Sequence, residues 1–173
     1  MMLDVGALGA STVSACCLLG SPRPRRVWIS ASLMVLAMLG CVLAEAAPGL
    51  GLASIVLSLG SAGFALQRRD GRVAPMSLHR ALGGVTMAAL VAMSIGMAGA
   101  RASAAPGHSH GVSLAAIAFG FVAGYLAYSV WLLIAMARAR REAAADRPGR
   151  ARGVLQFGEV AGMAVGVLLM CAM

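Results

Sequence analysis

Long apolar runs alternate with short polar gaps along this 173-residue chain. Residues 27–44, 46–67, 81–100 and 112–137 contain no charged side chain. Each is as long as the roughly 18 residues that cross a bilayer as a helix. Two more runs qualify with one acid apiece: residues 1–20, with Asp4 near the start, and residues 153–173, with Glu159 inside. The pattern predicts an all-α polytopic bundle that forms one domain over residues 1–173. Its six spans lie near 3–20, 27–46, 50–67, 81–100, 112–137 and 153–172.

The gaps set the orientation. Arg23, Arg25 and Arg26 fill the first; Arg68, Arg69, Arg72 and Arg80 the second; Arg138, Arg140, Arg141, Arg147, Arg150 and Arg152 the third. Arg101 alone lies elsewhere. Cationic residues in short loops are retained on the cytoplasmic side. The three gaps are therefore expected to face inward, with both termini outside a bacterial cytoplasmic membrane. Val13, Ser14, Ala15 and Cys16 resemble a lipobox, but residues 1–12 hold no positive charge, whereas a signal peptide has a basic n-region. A retained first span is the expectation.

Composition agrees with lipid solvation: 60% of residues are hydrophobic, mean hydropathy is +0.87, and 12% are charged. A soluble domain carries about 25% charged residues. The net charge of +8 and pI near 11.0 could suggest nucleic acid. Here the arginines sit at span ends, where retention and anionic headgroups account for them, so no nucleic-acid partner is expected. Lys and Asn are absent while Arg, Ala and Gly abound, a codon bias of GC-rich bacteria. The four cysteines, Cys16, Cys17, Cys41 and Cys171, predict no disulfide framework, an inference that belongs to small secreted scaffolds.

The spans pair into three helical hairpins, and the outbound member of each is methionine-rich. Met34 and Met38 lie in the second span, Met87, Met93 and Met97 in the fourth, and Met163, Met170 and Met173 in the sixth. The segments SLMVLAMLGCVLAEA, GVTMAALVAMSIGM and AGMAVGVLLMCAM read as weak copies of one another, and internal repeats are common in membrane transporters. Gly158, Gly162 and Gly166 in the sixth span, with Gly120 and Gly124 in the fifth, are spaced for close helix packing. They predict a central sixth helix.

Positions three and four apart share a helix face, which places Met34, Met38, Cys41 and Glu45 on one stripe. Glu159, Met163, Gly166, Met170 and Met173 form a second. His79, Gly83, Thr86, Leu90, Met93 and Met97 form a third. Thioethers and thiols select soft cations, copper(I) above all, and imidazole adds affinity. The candidate ligands at the outer face are Met38, Cys41, Met93, Met97, His108, His110, Met170 and Cys171. The competing reading is packing, since methionine fills irregular gaps in apolar interiors.

Glu159 lies about 9 Å inside the sixth span at 1.5 Å per residue. An ionisable group there is costly unless paired or protonated, and is a functional candidate by default. His79, or Arg80 beside it, is the expected partner. Glu159 with His79 is then an intramembrane relay or an ion pair. Tyr125, Tyr128 and Trp131 repeat every three residues in the fifth span and are expected to pack on a neighbouring helix. Haem enzymes of the membrane need paired intramembrane histidines, and only His79 is near a span. No nucleotide loop, serine triad or zinc-protease helix is visible, so no enzyme is expected.

SLMVLAMLG in the second span, LHRALGGVTMAALVAM in the fourth, the HSHG loop and LQFGEVAGMAVGVLLM at the end together resemble an actinobacterial integral-membrane family. That family is a domain of unknown function of about two hundred residues with six Met-rich spans. The resemblance covers nearly the whole chain and implies no assigned activity. The chain departs from it at Ala31 and Ser32, where the family has a histidine, and in its shorter loop around His108. The sequence thus predicts a small multi-pass protein that binds or transports copper at the extracytoplasmic face. The alternative is a structural accessory subunit of a larger membrane complex such as a respiratory assembly. The bilayer is the expected partner, with a further membrane protein or a second copy of the chain as the other classes.

Overall fold

A computed structural model describes residues 25–45, 47, 49–66, 68–69, 72–102, 114–142 and 147–171. Among them the chain forms α1 (Arg25–Val42), a single 3-10 turn (Leu43–Glu45), α2 (Gly49–Ala65), α3 (Pro75–Ala102), α4 (Leu114–Glu142) and α5 (Arg147–Cys171). These are the predicted second to sixth spans; the predicted first span lies outside the described residues. Four of the helices, all but α2, are long and apolar enough to cross a membrane, and α2 is an apolar helix of 17 residues. Leu52, Val56, Leu59 and Phe64 of α2 are exposed, the apolar surface expected of a bundle solvated by lipid rather than water.

Between α2 and α3 the chain adds a feature that the helical pattern did not predict. Arg68–Arg69 pairs antiparallel with Arg72–Val73 as β1 and β2. The intervening sequence is Asp70-Gly71, a dipeptide that favours two-residue hairpin loops. Pro75 then opens α3. The carbonyl of Ala74 accepts from the amides of Ser77 and Leu78 at 2.9 and 3.0 Å, and Pro at the first helical position forfeits no bond because that amide has no intrahelical acceptor. The helix consequently starts six residues before the predicted span at 81, which brings His79 and Arg80 inside it.

Contact pairs give the helix directions. Ser30 meets Ser61 while Gly40 faces Ser54, so α1 and α2 are antiparallel. Gly51 faces Ile95 while Gly84 faces Ser58, so α2 and α3 are antiparallel as well. His79 meets Ser129 while Thr86 meets Phe121, and α4 therefore opposes α3. Arg80 meets Glu159 and Gly83 faces Met163, which makes α3 and α5 parallel. Arg25, Arg26, Arg80, Arg138, Arg140 and Arg141 accordingly gather toward one end of the bundle.

The central helix is α3, which packs on α2, α4 and α5. This corrects the expectation of a central sixth helix: α5 makes its main contacts with α3 and α4. A Cβ at Gly120 or Gly124 would meet nothing within 4 Å among the described residues, so the predicted ridge of α4 packs on none of them. Close approach occurs instead at Gly84, where a Cβ would lie 2.7 Å from the Ser58 carbonyl oxygen and 3.1 Å from the Ala62 Cβ.

What α2 buries is uniformly small: Gly51, Ser54, Ser58, Ser61, Ala62 and Ala65. Their spacing of three and four puts them on one face, and small residues let helix backbones approach in lipid. Ser61 Oγ donates to the Ser30 carbonyl at 2.8 Å, and Ser30 Oγ donates to the Ser61 carbonyl at 2.9 Å. Ser30→Ala and Ser61→Ala are each expected to cost about 0.6 kcal/mol, the average for interhelical hydrogen bonds in lipid. The double variant should lose less than the sum, because the two bonds constrain the same contact. Reversible unfolding in detergent or bicelles measures all three; strict additivity would show that the two bonds act independently.

Candidate functional site

Two constellations occupy the bundle interior. The first is sulfur-rich. Met38 and Met87 are buried with Leu90, Val122, Tyr125 and Val167, and Met34, Met93, Met163 and Met170 pack against that core. The methionines come from α1, α3 and α5, the helices whose stripes the sequence singled out. Because α1, α3 and α5 run parallel, Met38, Met93 and Met170 lie away from the arginine-bearing end, whereas Met163 meets Gly83 near it.

The predicted outer ligands are distributed unevenly. Met38, Met93 and Met170 belong to the core cluster. Met97 stands 48% exposed on the last turns of α3. Cys41 is half-buried and Cys171 is exposed. His108 and His110 lie outside the described residues. Among the described residues, no group of three or more His, Cys, Asp or Glu side chains is placed to hold a metal.

The second constellation is polar and lies at the start of α3. His79 and Glu159 are 0% and 1% exposed. Arg80 Nε donates to Glu159 Oε1 at 2.6 Å, so Arg80 is a partner of the intramembrane acid, one of the two the sequence named. An isolated charge at this depth costs several kcal/mol; pairing is what makes both residues tolerable.

His79 is sandwiched by α4. Its ring stacks on Tyr125 with centroids 5.1 Å apart and on Tyr128 at 6.4 Å. Ser129 Oγ gives its one proton to the Tyr125 carbonyl at 2.8 Å. It can then only accept from the imidazole, from Nδ1–H at 3.4 Å. That tautomer leaves the Nε2 lone pair to accept from the Tyr125 hydroxyl at 3.3 Å. Both contacts to the ring are long for hydrogen bonds, so the ring is oriented without being tightly bound.

Sequence reasoning placed Tyr125 and Tyr128 against a neighbouring helix without identifying His79 as what they cover. Trp131, the third aromatic of that repeat, is instead 56% exposed and touches Tyr128 at 5.5 Å. Ser129 was missed, although it lies four residues after Tyr125 on the same face. Tyr125 links the two constellations: its ring is in the sulfur-rich core and its hydroxyl is on His79. Comparisons with protein families, curated proteins and solved structures find no match.

Proposed function

We propose that this chain is a small multi-pass protein of a bacterial cytoplasmic membrane that binds copper(I), for storage or transport, through thioethers gathered from three helices. The observation that carries this reading is the convergence of Met34, Met38, Met87, Met93, Met163 and Met170 on one core. Packing alone has no requirement for thioethers on three separate helices, since Leu fills such space with less conformational freedom to lose. In this reading the chain crosses six times with both termini outside, and Met97, Cys41, Cys171, His108 and His110 form the outer approach. Retention of the arginine-bearing end by the cytoplasm supports that orientation.

Titration of copper(I) against a competing chelator tests the proposal. The protein should compete, and Met93→Leu with Met97→Leu should weaken binding by about tenfold, equivalent to 1.4 kcal/mol. Unchanged affinity in that variant, or no binding by the parent, would sink it. A second reading, an accessory subunit of a larger membrane assembly, is favoured by the outward face of α4, where Phe119 and Trp131 stand exposed. Stoichiometric co-purification of another membrane protein, lost on Trp131→Ala, would support it.

A further inference from the structure

We propose that the thioether column continues inward to His79, and that His79 Nε2 and Met163 form the inner terminal site of a path by which a soft monovalent cation crosses the bundle. The inference rests on the copper reading and extends it from binding to passage.

Methionines recur along α3, with Met87 and Met93 in the core cluster and Met97 exposed beyond it. From Met97 at the outer end through Met93 and Met87 to Gly83 is about 21 Å at 1.5 Å per residue, and His79 lies one turn further. The column therefore spans most of the roughly 30 Å of hydrocarbon in a bilayer. Met34 and Met38 of α1 and Met170 of α5 join the same core, and Met163 of α5 joins it at the level of Gly83. A cation leaving one thioether has another within the same packed cluster.

At the inner end, Gly83 makes the room. A Cβ there would lie 2.9 Å from Met163 Cε and 3.4 Å from Tyr125 Cε2, so the methionine tip and the tyrosine ring share the space left by the missing side chain. His79 precedes Gly83 by four residues on the same face of α3. Its Nε2 is the ring atom with an available lone pair, and its contact with the Tyr125 hydroxyl is 3.3 Å. A rotation of that hydroxyl frees the nitrogen for a metal. Tyr125 neighbours both the imidazole and the Gly83 space that the tip of Met163 enters, and imidazole with a thioether is a ligand pair suited to copper(I).

Electrostatics permits a cation at this depth because Arg80, adjacent in sequence, is paired with Glu159 at 2.6 Å. The two charges offset each other, and the arriving ion does not meet an uncompensated guanidinium. Toward the arginine-bearing end His79 is covered by Tyr128, whose hydroxyl donates to the Pro75 carbonyl at 3.1 Å. Release on that side passes this ring, so the inner site is closed in the conformation described.

The test uses the full chain with His108→Ala and His110→Ala, which leaves His79 as the remaining histidine of three. Silver(I) serves as a redox-inert probe of the copper(I) path. Binding is measured on purified protein, and passage as silver accumulated inside sealed proteoliposomes after external ion is stripped. The parent should bind and fill vesicles. Met163→Leu, which preserves shape, should fill vesicles about tenfold more slowly than the parent at silver concentrations that saturate binding, a factor worth 1.4 kcal/mol. His79→Gln should do the same and remove the nitrogen scatterer from the X-ray absorption spectrum of the loaded protein. Filling at the parent rate in Met163→Leu overturns the inference. Binding by the parent without filling overturns it too, while leaving copper binding intact. Absence of silver and copper(I) binding removes both.

Discussion

Replacing Glu159 by alanine is expected to destabilise the bundle by about 3–5 kcal/mol, the cost of leaving one member of a buried ion pair alone. The residue is 1% exposed, and its carboxylate accepts from an Arg80 guanidinium that is itself 10% exposed. Arg80→Leu on its own should be similarly damaging. The double variant, Arg80→Leu with Glu159→Ala, should recover much of the loss, because it removes both desolvation penalties together. Denaturant unfolding in a mild detergent or bicelle, read as a double-mutant cycle, measures the coupling. Additive losses would mean that the pair contributes nothing beyond its two separate environments. A silver-flux measurement on the double variant then separates the electrostatic role of the pair from its structural one.

Gly84→Ala should cost about 1–3 kcal/mol, a typical penalty for overpacking, despite adding one carbon to a helix interior. The new Cβ would stand 2.7 Å from the Ser58 carbonyl oxygen and 3.2 Å from the Ala62 amide nitrogen. Both are backbone atoms of α2, so no side chain can rotate aside and the helices themselves must separate. Gly124→Ala is the matched control. Nothing lies within 4 Å of a Cβ there, and exchanging Gly for Ala in a helix is favourable by about 1 kcal/mol. Opposite signs for the two substitutions are the expected result of unfolding measurements. Equal effects would mean that the α2–α3 contact is looser than its geometry implies.

These two sites mark how much the sequence discloses. The arginine gaps separate the helices, because charge in a membrane protein is confined to helix ends unless something neutralises it. That same rule misplaced the start of α3. Arg80 ended the charge-free run, yet it lies within the helix because Glu159, 79 residues later, cancels its charge. No local window contains both. The stripes of α1, α3 and α5 named Met34, Met38, Met93, Met163 and Met170, which do share one core, but they included Met97, which stands exposed, and left out Met87, which is buried. The serine face of α2 passed unnoticed. Ser54, Ser58 and Ser61 are neither strongly apolar nor chemically distinctive, although their spacing with Gly51, Ala62 and Ala65 carried the packing signal throughout. The glycines of α4 misled for the complementary reason. A small residue permits close approach, but it needs an opposing surface, and for Gly84 that surface is the small-residue face of α2.

The brevity of α2 reaches beyond the bundle. A helix of 17 residues rises about 26 Å, whereas α3 and α4 have 28 and 29 residues. In the proposed six-span arrangement the hydrocarbon layer would have to thin beside α2 or its flanks to sink, at a cost of fractions of a kcal/mol for each ångström of mismatch. One side of the protein would then prefer short-chain lipids while the other tolerates long ones. Such a lopsided fit would give the molecule a preferred boundary in a laterally mixed bilayer, with α2 turned toward the thinner region.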